Sequence, residues 1–113
     1  MDDKYILDGH MPVPVDLMTW ALWFQDGEKN RRVAYTEIRP GIIVSTVFLG
    51  IDMNFWAKGP PLLFETMVRS DYGWDDEVRY STWDEAVAGH LATVAKLEGQ
   101  LSAATSGQSS DPA

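Results

Sequence analysis

Residues 42–68, IIVSTVFLGIDMNFWAKGPPLLFETMV, constrain the fold more than any other stretch. Two runs, 42–49 and 62–68, are rich in Ile, Val, Thr and Phe, which suit a pleated, half-buried surface. The connection between them, 50–61, carries Phe55 and Trp56 where a plain linker would be polar. A loop that long inside a small domain is usually functional or disordered, and disordered segments rarely carry such aromatics. The two runs therefore read as antiparallel strands, and Asp52, Asn54, Phe55, Trp56 and Lys58 as the leading candidate binding residues. In one reading Phe55 and Trp56 form a stacking platform with Asp52 and Asn54 as polar readers. In the other, Phe55 is tucked into the core to anchor the loop.

The rest of the chain supplies further elements. Tyr5-Ile6-Leu7 reads as a short edge strand, and Pro12 and Pro14 force an extended path. Asp16 caps a helix over 17–25, with Leu17, Trp20, Ala21 and Phe24 on one face and Leu22 and Trp23 off it. That helix is apolar nearly all round, so it is either buried on two sides or presents an apolar patch. Residues 31–39 read as a strand joined to 42–49 through Pro40-Gly41. A two-residue loop there pairs Ile38 with Ile43, Thr36 with Ser45 and Ala34 with Val47 as the core face, and a one-residue shift exchanges the faces. Residues 70–77 are a second irregular connection, whose aromatics Tyr72 and Trp74 are further candidate binding residues, and 78–81 a short strand. Thr82 and Glu85 form a capping box for a helix running to Leu97 or Leu101. Its stripe is Trp83, Val87, Leu91, Val94 and Leu97, and Gly89, costly in mid-helix, implies a close neighbour. The predicted fold is α+β. A small antiparallel sheet of four to five strands is packed by a long C-terminal helix and a shorter N-terminal one, over residues 1–101, with 102–113 as a flexible tail.

Composition narrows function. With 113 residues and no cysteine, one domain is expected, without disulfides, thiolate catalysis or cysteine-bound metal. A net charge of −8 argues against general nucleic-acid binding and suits a basic protein partner, nucleic-acid mimicry or simple solubility. No stretch reads as a signal peptide or a membrane span. His10 and His90 are the only histidines, and a metal site would need both to meet a carboxylate such as Asp52 or Glu65. A hydrogen-bonded, half-buried role for His90 is the plainer reading. Glu37 and Glu65 could pair for acid–base work, or each could meet an arginine such as Arg39 or Arg69. Arg31 and Arg32, with Lys29, form the one basic cluster, and Arg31 is the candidate anion contact. No cofactor or metal is predicted.

The blocks VSTVFLGIDMNF (44–55), GPPLLFETMV (59–68) and RYSTWDEAVAGH (79–90) resemble a family of small proteins encoded by tailed bacteriophages and prophages. YILDGHMPVPVDLMTWALWF and RRVAYTEI fit the same pattern, so the resemblance spans about residues 4–98. It departs at Met53, where the family often has His, and at Trp56-Ala57-Lys58, where it is often Gly-rich. The resemblance implies a setting and no catalytic residues: a phage gene product in the bacterial cytoplasm. The leading expectation is a non-catalytic accessory protein that binds a host protein, for host takeover or to blunt a defence. The alternatives are a binder of a small nucleotide signal and an enzyme built on His10, His90, Asp52 and Glu65. A homodimer through Tyr5–Leu7 or helix 17–25 is left open.

Overall fold

The computed structural model describes residues 3–27, 30–55, 58–71 and 75–109. The element order is β1 (Tyr5–Asp8), β2 (Met11–Pro14), α1 (Leu17–Phe24), β3 (Arg32–Arg39), β4 (Ile42–Phe48), β5 (Phe64–Ser70), β6 (Asp75–Tyr80) and α2 (Trp83–Ser109). The four strands β3-β4-β5-β6 form an antiparallel meander, and β1-β2 a separate hairpin. The α+β class is as predicted. The proline segment goes beyond a merely extended path, because Ile6 pairs with Val13 and Leu7 with Pro12.

The register of β3 on β4 corrects the two-residue pairing. Thr36 faces Val44 and Ala34 faces Thr46, with irregularities between Arg32 and Ala34 and between Glu37 and Arg39. Val33 and Ile38 are the extra residues of two bulges, and each bulge brings an apolar side chain onto the core. The shift moves the core face of β4 to Ile42, Val44, Thr46 and Phe48, all essentially inaccessible, while Ile43, Ser45 and Val47 face the other way. On β5, Phe64, Thr66 and Val68 share the core side opposite Phe48, Thr46 and Val44.

Helix α2 covers that core face. Its start is the expected capping box: Thr82 Oγ1 accepts from the Glu85 N–H at 3.1 Å, and Glu85 Oε1 accepts from the Thr82 N–H at 3.1 Å. The helix runs to Ser109, past the predicted end at Leu97 or Leu101 and into the segment read as a tail. Its inner stripe also differs from prediction. Leu91 is 63% exposed, and His90 takes the inward place at 2%. The spacing explains this, since Trp83, His90 and Leu97 are seven residues apart and Leu91 is one step off that line. Gly89 meets the close neighbour predicted for it, the ring of Tyr80 at the end of β6.

Phe48, Leu63, Phe64 and Ala86 form the main core, closed by Tyr5, Leu7, Trp23, Val33, Tyr80 and Trp83. The hairpin β1-β2 is thereby fastened beside the start of α2, and His10 in its turn stacks on Trp83 with ring centroids 3.8 Å apart. Among the described residues, no helix is long and apolar enough to cross a membrane.

Candidate functional site

The loop after β4 is held by its own polar side chains. Asp52 Oδ1 accepts from the N–H of Asn54 at 2.8 Å and of Leu62 at 3.0 Å. Asn54 Nδ2 donates to the Pro60 carbonyl at 3.0 Å, and the Met53 N–H donates to the Leu62 carbonyl. Asp52 and Asn54 thus act as loop clasps, in the manner of an Asx turn. Phe55 is 65% exposed, so it points outward and does not anchor the loop in the core. Lys58 is also exposed. Trp56, Tyr72 and Trp74, three of the predicted contact residues, lie outside the described residues.

Helix α1 packs against the base of this loop. Its N-cap is the predicted one, with Asp16 Oδ1 accepting from the Thr19 N–H at 2.8 Å, a bond that holds this carboxyl below its usual pKa. Trp20 Nε1 donates to the Gly50 carbonyl at 3.0 Å, and the Tyr5 N–H donates to the same oxygen at 2.8 Å. Gly50 has φ +75°, and a Cβ there would fall 2.2 Å from Phe24 Cζ. Trp23, expected off the buried face, meets Phe48 edge-on at 5.7 Å. Leu17, expected on that face, is 62% exposed, in company with Met18 and Leu22. Trp20, Trp23 and Phe24 all find partners in the domain, and Leu17, Met18 and Leu22 are left on the outside. Arg31 lies over the Phe24 ring, 4.9 Å from its centroid, with a buried Nε that has no hydrogen-bond partner among the described residues. Arg32 turns to the opposite side, over Tyr35.

The histidines and carboxylates do not assemble into one site. His90 Nδ1 is 2.8 Å from Thr46 Oγ1, and its Nε2 is 2.9 Å from Thr36 Oγ1. Thr46 Oγ1 is in turn 2.6 Å from Thr66 Oγ1. Hydroxyls both donate and accept, so the neutral imidazole is fully satisfied here, and burial lowers its pKa. His10 sits on Trp83, Asp52 in the loop clasp, and Glu65 on the far face of the sheet. Glu65 accepts from Arg79 Nε at 3.0 Å, which makes Arg79 its partner, not Arg39, Arg69 or Glu37. Among the described residues, no group of three His, Asp or Glu is placed to hold a metal.

The two-residue pairing predicts a second, partly covered face of the sheet with Tyr35 and Glu37 on it, but the shifted register brings Ile43, Ser45 and Val47 to that face in place of Val44, Thr46 and Phe48. Three transverse rows cross it. They are Arg32–Val47–Glu65–Arg79, Tyr35–Ser45–Met67–Glu77, and Glu37–Ile43–Arg69 continuing to the backbone of Asp75. On the β3, β4 and β5 part of these rows lies an open depression of about 310 Å³, lined by Arg32, Tyr35, Ile43, Ser45, Val47, Glu65, Met67 and Arg69. In comparisons with known proteins, the chain matches no family model, no curated protein and no solved structure.

Proposed function

We propose that this protein is a small phage accessory protein that works in the bacterial cytoplasm as a non-catalytic binding module on a host protein. The supporting observation is the outer face of α1, where Leu17, Met18 and Leu22 are each more than half exposed on a helix fixed to the domain through Trp20, Trp23 and Phe24. Contiguous exposed apolar side chains on a fixed element mark interaction sites in soluble proteins. Phe55 extends from the loop rooted at the same Gly50, so the helix and the loop share one end of the domain. Exposed Asp16 and Asp26 belong to this end, as does Asp3 in its ion pair with Lys4. Arg31 and Lys58 add cations there, and the acidic balance is that of the whole chain, −8. The partner is therefore a protein with an apolar patch rimmed by Lys or Arg, whose encounter the acidic surface would accelerate. The phage setting comes from the sequence resemblance. The dispersal of His10, His90, Asp52 and Glu65 among separate partners supports binding over reaction.

The test is direct binding between the purified protein and a host protein co-purified with it. Met18→Ser/Leu22→Ser leaves the core untouched and should weaken the complex at least about tenfold, as loss of two anchors does. A double variant that binds the same partner as tightly as the parent would remove α1 from the interface.

A further inference from the structure

We infer that the face of the four-stranded sheet turned away from α2, which no described element covers, is a homodimer interface, in which a second copy packs face to face about a twofold axis running across the strands. Self-complementarity of the three rows is the basis. Such an axis lies along the middle row and exchanges the outer rows while keeping each strand over its own copy. Arg32 then lies over Glu37 of the second copy, Val47 over Ile43, and Glu65 over Arg69. Met67 and Ser45 meet their own counterparts on the axis. Each charge that β3, β4 and β5 contribute to the three rows finds the opposite sign, and the apolar residues fall together in the centre. Glu77 meets its own counterpart at the β6 edge, where it is half exposed and already holds Arg79. The other in-plane axis, along the strands, places β3 over β6. It sets Arg32 against Arg79 and Val47 against Glu65, which is like charge on like and apolar on charge. An isologous contact has to be complementary to itself, and the first arrangement meets that condition far better.

Size and chemistry fit a modest dimer. Strands about 4.8 Å apart with about 3.3 Å per residue give a face roughly 19 Å wide and 20–25 Å long. Two such faces bury on the order of 1,000 Å², near the lower bound for a specific interface. The central depression would take side chains of the second copy, and sheets pack about 10 Å apart in this way. Glu65 is only 8% exposed and already holds Arg79, so Arg69 of the second copy adds a donor to a carboxylate that accepts several. Helix α1 packs through Trp23 onto Phe48, a core-face residue, so the dimer leaves the proposed host-binding surface open on the other side. Loss of either interface would leave the other intact.

Sedimentation equilibrium of the full chain from about 1 to 300 µM tests this. The parent should show a monomer–dimer equilibrium that weakens with salt. Met67→Arg places two cations on the axis and should raise the dissociation constant about a hundredfold, the cost of an apposed like-charge pair. Arg32→Glu and Glu37→Arg should each weaken dimerisation about tenfold. An equimolar mixture of those two variants should form a heterodimer. In it the new carboxylate at position 32 of one chain meets the new guanidinium at position 37 of the other, and the unchanged Glu37 and Arg32 meet as in the parent. A chain carrying both substitutions should dimerise like the parent. All of these changes lie on the uncovered face, and thermal melts confirm folding. A parent that stays monomeric at about 300 µM would overturn the inference. So would a dimer that survives Met67→Arg, or single variants that fail to pair when mixed.

Discussion

Replacing Gly89 by Ala separates helix propensity from packing. Gly89 lies inside α2, where alanine is favoured over glycine by about 1 kcal/mol, so on propensity alone the variant should be more stable. The structure predicts the reverse. A Cβ at this position would fall 2.1 Å from Tyr80 Oη, 2.2 Å from Cζ and 2.4 Å from Cε1, far inside contact distance. Tyr80 packs against the Phe48–Phe64 core, so its ring can move only by disturbing that core. Overpacking of this kind costs about 1–3 kcal/mol, which leaves a net destabilisation of roughly 0–2 kcal/mol. A double-mutant cycle read by urea unfolding isolates the contact. Tyr80→Leu shortens the side chain while keeping it apolar, and in that background Gly89→Ala should stabilise by about 1 kcal/mol. The sign reversal is the signature. Stabilisation by Gly89→Ala in the parent chain, with no coupling to position 80, would refute close packing of α2 on β6.

Three further outcomes follow from the same structure. His90 is buried neutral with a lowered pKa, so the unfolded chain binds more protons than the folded one below about pH 6.5, and stability should fall as pH drops through that value. The slope is at most about 1.4 kcal/mol per pH unit, and His90→Gln should flatten it in pH-dependent urea melts. Gly50→Ala should destabilise by about 2 kcal/mol or more and lower the melting temperature, since φ +75° is strained for alanine and its Cβ would overlap Phe24. Asp52→Ala leaves the Asn54 and Leu62 N–H groups without their acceptor, so amide exchange at Leu62 should quicken about tenfold with a global loss of about 1 kcal/mol.

Much of the fold was legible because it rests on local signals. The Thr82–Glu85 capping box, the Asp16 cap and the two apolar runs each specify their element through neighbours in sequence. The need for a close neighbour at Gly89 was also readable, although Tyr80 itself was not. The misreadings share a physical origin. Bulges at Val33 and Ile38 insert residues into a period of two, so strict alternation assigns β4 to the wrong face. Leu91 lies one step from the line of Trp83, His90 and Leu97, and hydrophobicity alone prefers Leu over His at an inward place. His90 sits there because Thr36 and Thr46 supply hydroxyls at both ring nitrogens, a match between three elements that no local pattern carries. The same holds for the site. Asp52 and Asn54 look like ligand contacts until Leu62 and Pro60, ten and six residues on, are seen to take their polar atoms.

We propose that the outer face of α1 binds a host protein. Isothermal titration of the purified host partner into the parent and into Met18→Ser/Leu22→Ser tests it most directly. Saturable binding with a negative heat-capacity change, weakened at least about tenfold in the variant, is the predicted result. Equal affinity for the two proteins would contradict it.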